Sequence, residues 1–286
     1  MIRSPALANL NGDLMPLTEV KISALDRGFL FGDAVYEVLR VYQGQPWLAD
    51  QHFQRLARSL EAVRIRGVDV ERLRRRANET IAVGSFREAT IYIQITRGAA
   101  PRKHPFPEAA TPLEFLYVQE FVDPYEAARR DGAAVITHPD QRWDRCDIKS
   151  TNLLSNVLAM QTAVEAGGIE ALLYLPDGTL TEGTHTSFFG VLDGELLTAP
   201  NSHAILPGIT RGLVLRLSAR AGVPVREQML RREDLSKVSE LFLTGTTTEV
   251  LPVVSVDGRP VADGRPGSVT RRLQDAYRAA VREFLA

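Results

Sequence analysis

The chain has 286 residues, 44% hydrophobic and 24% charged, with 34 Lys and Arg against 35 Asp and Glu for a formal net charge of -1. That length admits two domains, each with its own core, and the balanced charge gives no global reason to expect nucleic acid or an anionic membrane as partner. The single cysteine, Cys146, excludes an intrachain disulfide and a Cys-built metal cage; MIRSPALANLNG lacks the apolar core of a secretory signal and no apolar run reaches bilayer length, so the expectation is a cytoplasmic protein with no metal.

Taken in chain order, YEVLRVYQGQPWLA (36–49) reads as a strand and return with a hairpin turn at Gly44. Period-two alternation puts Tyr36, Val38 and Arg40 on one face and Glu37, Leu39 and Val41 on the other; the face with Tyr and Arg is polar enough to line a site. ADQHFQRLARSLEAVRI (49–65) is a helix with Asp50 as N-cap and a stripe of Phe53, Leu56, Leu60 and Val63. A second helix is expected over 69–83, where RLRRR (72–76) is a solvated basic face. ATIYIQITRG (89–98) alternates as a strand. RKH (102–104) lies in the Pro-bounded loop RGAAPRKHPFP; Arg102 beside His104 suits a carboxylate, and an exposed basic loop accounts for the pair as well.

Pro, Asp and Gly between 119 and 132 mark a connection between domains: 1–120 forms a small N-terminal domain, 121–131 a linker and 132–286 a larger C-terminal domain. Beyond it come turns at 176–178 and 192–194, a helix over 209–221 and a strand over 239–245. Hairpins and helices without regular β-α-β spacing favour an α+β fold.

RCDIKSTNLLSNVLAMQ (145–161) places Lys149 at the end of an extended segment. Ser150, Thr151 or Asn152 caps the helix that follows, whose stripe of Leu153, Leu154, Val157, Leu158 and Met160 is expected to be buried. Cys146, beside Arg145, reads as a small buried side chain. In TLTEGTHTSFFGV, Glu182 stands at a turn, solvated if it stood alone, and Thr184, His185, Thr186 and Ser187 supply short polar side chains for a ligand. ILPGITRG opens a helix at Ile209 and Thr210, where free N–H groups and the positive helix end suit an anion such as phosphate; many helices begin this way with no guest. GTTTEV (245–250) is a second such spot, and neither has a nucleotide-loop glycine spacing.

The segments DRGFLFGDAVYEVLRVYQG, RGAAPRKHPFP, RWDRCDIKSTNLL, TLTEGTHTSFFGVLDG, ILPGITRG and LFLTGTTTEVLPV, in order from about Val20 to about Tyr277, resemble the fold type IV, class IV aminotransferases. These depend on pyridoxal 5'-phosphate, and within the group the segments are most similar to the D-amino acid aminotransferases. The resemblance implies an α+β fold with a smaller α/β N-terminal domain and a larger C-terminal domain carrying a mixed, barrel-like sheet. It implies that Lys149 forms the Schiff base (internal aldimine) and carries the proton between substrate α-carbon and cofactor. Burial against the apolar helix stripe would favour the neutral amine this needs. Glu182 would pair with the pyridine nitrogen. Arg55, Ile209, Thr210 and Thr246 would hold the phosphate, Arg142 the phenolic oxygen, and Leu206 and Thr186 would also line the cofactor.

Tyr36, Arg102 and His104 match the group that traps the substrate carboxylate, with the Arg and His reaching in from the neighbouring subunit of a homodimer. Val38, Arg40, Tyr92 and Thr247 complete the implied substrate pocket. The reaction implied moves the amino group of a D-amino acid such as D-alanine to 2-oxoglutarate by a ping-pong route, so the partners are an amino acid and a 2-oxo acid. A branched-chain L-amino acid or (R)-amine transaminase is the alternative; a 4-amino-4-deoxychorismate lyase and a catalytically silent binding protein fit the residues less well. His185 and Ser187 stand where smaller Ser and Asn are familiar in the family, and Gly245 where Ser is familiar.

Overall fold

A computed structural model describes residues 6–286, so the first five residues of MIRSPALANLNG lie outside it. The chain divides into two compact units: one runs to Val122 and takes in Ile148–Asn152, and the other comprises Asp123–Asp147 and most of the chain from Leu153.

The first unit holds β1 (Leu7–Leu10), β2 (Asp13–Pro16), α1 (Arg27–Phe31), β3 (Ala34–Tyr42), β4 (Gln45–Pro46), α2 (Ala49–Ala62), α3 (Val70–Gly84), β5 (Ala89–Thr96) and β6 (Leu113–Glu120). Its strands form one antiparallel sheet in the order β2-β1-β6-β5-β3-β4. The alternation read from the sequence is the packing observed. Val35, Leu39, Val41, Ile91, Ile93, Ile95, Leu116 and Val118 bury against Phe53, Leu56 and Leu60 of α2 and Leu73, Ala77 and Ile81 of α3. The turn between β3 and β4 puts Gln43 and Gly44 at φ 49 and 82, the doubly left-handed turn that matches strand twist. Asp50 does not cap α2: the cap is Leu48, itself at φ 54, and Asp50 lies in the first turn beside the positive helix end.

The second unit begins with α4 (Glu126–Asp131), a helical turn inside the segment expected to be linker. It continues with β7 (Ala133–Pro139), α5 (Leu154–Glu165), β8 (Ala171–Tyr174), β9 (Leu180–Gly183), β10 (Ser187–Leu192), β11 (Glu195–Thr198), α6 (Ile209–Arg220), β12 (Val225–Glu227), β13 (Glu240–Gly245), β14 (Glu249–Val256), β15 (Arg259–Pro260) and α7 (Ser268–Leu285). The sheet is mixed, in the order β12-β11-β10-β13-β14-β7-β8-β9 with β15 on β14, and β9 turns directly into β10 so that the sheet curls. Its core is Leu172, Leu180, Phe188, Leu241, Leu243, Leu251 and Val253.

Helix α5 departs from expectation. Its N-cap is Leu153, with no side-chain cap from Ser150, Thr151 or Asn152. Leu154, Val157 and Leu158 are 72%, 58% and 57% exposed, while Ala159 and Ala163 face inward. A helix apolar around most of its circumference cannot reveal from its periodicity which face the sheet takes; the small alanines go inward, allowing close approach to β8. Three of the five residues of the stripe expected to be buried, Leu154, Val157 and Leu158, are therefore exposed. Among the described residues no helix is long and apolar enough to cross a membrane.

Candidate active site

Lys149 is fixed from both sides of its own backbone. Ile148 is buried in the core of the first unit, and the segment pairs with β3: Tyr36 N–H donates to the Lys149 carbonyl at 3.0 Å, Thr151 N–H to the Ala34 carbonyl at 3.2 Å, and Val35 bridges Ser150. Lys149 N–H is 3.3 Å from Ser59 Oγ on α2. Its Nζ lies 4.1 Å from the centroid of the Tyr36 ring. Two predicted residues, Lys149 and Tyr36, thus meet. Tyr36 stacks on Tyr92 at 5.7 Å and Tyr92 on Tyr117 at 5.2 Å, so this side of the sheet is an aromatic wall that includes half-buried Val38. Burial raises the Tyr92 phenol, and its hydroxyl is 2.6 Å from Gln94 Oε1.

Arg40, expected in the substrate pocket, is buried among structural partners. Its guanidinium donates to the Val41 and Ala89 carbonyls, pairs with Glu88, and sits 4.3 Å from the centroids of both Tyr42 and Phe121. Those partners hold the β3–β4 hairpin against β5 and leave Arg40 no place in a substrate pocket.

Arg55 is buried on α2 and meets Glu37 through two bonds, Nε to Oε1 at 2.7 Å and Nη2 to Oε2 at 2.8 Å. His52 Nδ1 is 2.7 Å from the same carboxylate. Burial alone would raise Glu37, but Arg55 and His52 overcome it and hold the carboxyl at about 2. Burial lowers His52, outweighing the pull of Glu37. Glu37 and His52 were not among the expected site residues. Their signal was present: a carboxylate on the inward face of an apolar strand, and His52, Arg55 and Ser59 flanking the buried stripe of α2.

Arg102, Lys103 and His104 are exposed. The Arg102 guanidinium lies 5.1 Å from the Phe31 ring centroid and the His104 ring 5.6 Å from it.

In the second unit Glu182 lies in β9, one residue before its end, and is buried. Both its oxygens accept from Leu206 N–H at 3.1 Å, and Arg142 Nη1 donates to Oε1. Arg142 also forks onto Asp140, Nε to Oδ1 at 3.0 Å and Nη2 to Oδ2 at 2.8 Å, and Thr181 Oγ1 donates to Asp140 at 2.9 Å. Arg142, expected at the phenolic oxygen, is instead engaged with Glu182 and Asp140. Burial pushes Glu182 up to about 7 against Arg142 and the Leu206 N–H, with Asp140 adding to the rise. Cys146 is buried as expected, its thiol pushed up to about 12 by burial, and it donates to the Trp143 carbonyl at 3.1 Å.

The polar run after Glu182 is also spoken for. Glu170, buried at the start of β8, accepts from Thr184 N–H at 2.9 Å, from Thr186 Oγ1 at 2.8 Å and from Thr184 Oγ1 at 2.5 Å, and pairs with His185 Nδ1 at 2.9 Å. Burial opposes ionisation of Glu170, yet His185 and the two threonines hold it at about 2. The Thr186 hydroxyl, expected at the cofactor, therefore tethers this loop. A run of donors with no visible acceptor was the sequence signal for a buried carboxylate.

Helix α6 starts at Gly208 with no side-chain cap and no acidic residue in its first turn, so Ile209 and buried Thr210 present N–H groups with no intrahelical acceptor. A Cβ on Gly208 would come within 2.6 Å of Ser187 Oγ, and one on Gly245 within 2.3 Å of Thr248 Oγ1 and 3.5 Å of Thr186 Cγ2. Gly245 is thus the residue that Thr186 and Thr248 leave room for. The contacts place the α6 start beside β10, and Thr186 beside the 245–248 turn that carries half-buried Thr246 and Thr247. Thr248 Oγ1 is buried without a hydrogen-bond partner.

A family model described as amino-transferase class IV matches residues 34–256. The chain is 38% identical to the D-alanine aminotransferase of Bacillus licheniformis over 95% of each chain, and 38% identical to that of Staphylococcus haemolyticus over 94% of this chain and 95% of the other. Among solved structures it is similar to the branched-chain amino acid aminotransferase of Escherichia coli, with a TM-score of 0.89 and 27% identity over 96% of this chain and 93% of that one. A second branched-chain amino acid aminotransferase, solved with pyridoxamine 5'-phosphate, has a TM-score of 0.89 and 29% identity over 97% of this chain and 94% of that one. Class IV aminotransferases use pyridoxal phosphate, and the residues described fit it: a lysine amine against an aromatic ring, a buried carboxylate, an uncapped helix start and an orphaned hydroxyl. The chain belongs to the class IV aminotransferases.

Proposed function

We propose that the protein is a D-amino acid transaminase using D-alanine or a similar donor and 2-oxoglutarate as acceptor. The exposed pair Arg102 and His104, on a loop with no regular secondary structure, carries this reading, supported by the D-alanine aminotransferase relatives. Pyridoxal phosphate, when bound, supplies an electron sink for the bond broken at the substrate α-carbon. Lys149 would hold it covalently and would then move the proton at that carbon. Glu182, oriented by Arg142 and Leu206 N–H, would pair with the pyridine nitrogen. Ile209 and Thr210 N–H groups, with Arg55 and Thr246, would hold the phosphate. Tyr36, Val38, Tyr92 and Thr247 line the substrate side chain and carboxylate.

The protein acts as a homodimer in which Arg102 and His104 serve the neighbouring subunit. The exposed apolar residues Leu154, Val157 and Leu158 supply a face for association. The test is the single-turnover conversion to the pyridoxamine form with D-alanine, L-leucine and (R)-1-phenylethylamine. D-Alanine is expected to react best, and Arg102→Ala to lower its specificity constant about a hundredfold, since losing one partner of a desolvated charge pair costs roughly 2–5 kcal/mol. Preference for L-leucine, or an equal loss for all three, replaces this reading with the branched-chain or amine one.

A further inference from the structure

The DRGFLFGD stretch has no role in the reading above, yet its side chains reach the 102–107 loop. Arg27 is 4% exposed. Its Nε donates to Asp33 Oδ2 at 2.8 Å; Nη1 donates to the Lys103 carbonyl at 2.6 Å and the Pro105 carbonyl at 3.5 Å, and Nη2 to the His104 carbonyl at 3.3 Å. Asp33 is shared with Arg97, whose Nε and Nη2 donate to it at 2.8 and 2.9 Å. The Arg97 guanidinium in turn lies 3.7 Å from the centroid of the Phe106 ring. Burial opposes ionisation of Asp33, but the two guanidiniums hold its carboxyl below the ordinary range.

The stems of the loop are fixed separately. Arg27 N–H donates to the Gly98 carbonyl at 3.0 Å, Ala100 N–H to the Leu25 carbonyl at 3.2 Å, and Gly98, at φ +93, is so close to Thr111 that a Cβ would lie 2.0 Å from its carbonyl oxygen. The tip has prolines at 101, 105 and 107, which have no N–H to donate, so its carbonyls depend on donors from elsewhere. A guanidinium offers five donors in a fixed fork, able to hold a carboxylate on one edge and several carbonyls on the other.

We propose that Arg27, braced by Asp33, is the positioning residue of the substrate-carboxylate clamp: by holding the carbonyls of residues 103–105 it fixes the spacing at which Arg102 and His104 present their donors. This rests on the reading that Arg102 and His104 bind the carboxylate. Arg27 touches no substrate; its effect passes through Arg102 and His104.

The experiment is a double-mutant cycle in the cofactor-loaded enzyme with D-alanine, using Arg27→Met, Arg102→Ala and the pair. Misplacing a binding group by about 1 Å costs up to roughly a hundredfold. Arg27→Met is therefore expected to raise KM for D-alanine about tenfold or more, with kcat changed less than about threefold and bound cofactor retained, and to have a clearly smaller effect in the Arg102→Ala background, where only His104 is left to misplace. Arg27→Lys, which keeps the pair with Asp33 and loses the fork, is expected between wild type and Arg27→Met, and carries the same cycle if Arg27→Met does not fold. An Arg27 effect of equal size with and without Arg102, or one on kcat alone, overturns this inference and leaves the clamp reading standing. An unchanged D-alanine KM in Arg102→Ala overturns the clamp reading and this inference with it.

Discussion

Glu37 in the first unit and Glu182 in the second are both buried carboxylates bonded to an arginine, yet one is held at about 2 and the other is pushed up to about 7. The desolvation is alike; the compensation is not. Glu37 receives a two-bond fork from Arg55 and a third bond from His52. Glu182 receives one guanidinium N–H and a shared backbone N–H, and its arginine is forked onto Asp140, a like charge nearby. Glu37 is a finished structural charge. Glu182 is under-compensated, the condition in which a further cationic partner is welcomed, and a protonated pyridine nitrogen is such a partner.

The largest expected effect separates chemistry from architecture. In the proposed role, Glu182→Gln would remove the charge that pairs with the pyridine nitrogen while preserving the shape, so the half-reaction with D-alanine should slow about a thousandfold, roughly 4 kcal/mol, with cofactor still bound. Stopped-flow absorbance measures it, and an unchanged rate would show that another group protonates the ring.

Glu37→Gln should act on stability first. In the cofactor-free protein it leaves Arg55 buried without its counter-charge, a loss of roughly 3–5 kcal/mol for a broken buried pair, read as a lowered denaturant midpoint. The sign of its pH dependence follows from the depressed value. Glu37 stabilises the fold fully above its unfolded value near 4.5, and that contribution, on the order of 3 kcal/mol, is lost as pH falls toward about 2. If Glu37→Gln matches wild type in stability near neutral pH, the two carboxylates are not the opposites drawn here.

The smallest effect is on cofactor affinity. With its value raised to about 7, Glu182 in the cofactor-free protein favours the fold below its unfolded value near 4.5 and loses that contribution as pH rises through about 7. Pairing with a pyridinium requires the ionised form. Affinity of cofactor-free wild type should therefore rise about tenfold between roughly pH 6 and pH 8 relative to Glu182→Gln, because ionisation goes from about a tenth to about nine-tenths complete. Parallel titrations with pyridoxal phosphate test it; identical pH profiles for the two proteins would remove Glu182 from the nitrogen.

The sequence by itself determined the alternation of β3, the helices α2, α3 and α6, the turns, and the six ordered segments that carry the family. These are local or linear signals: period two or 3.6, glycine where the backbone is left-handed, and residue identity at fixed places. Tertiary structure decided what each polar side chain faces. Arg40, Arg142 and Thr186 look like ligand groups as residue types, but Glu88, Glu182 and Glu170 claim them, and these partners lie between 16 and 48 residues away in the chain. The face of α5 was equally out of reach, because a helix apolar on most sides has no period that separates the sheet from solvent. Hydrogen bonds and ion pairs are satisfied by whichever partner the fold brings within about 3 Å, and a buried donor left unpaired is costly. Pairing across distant segments is fixed only when the chain closes on itself.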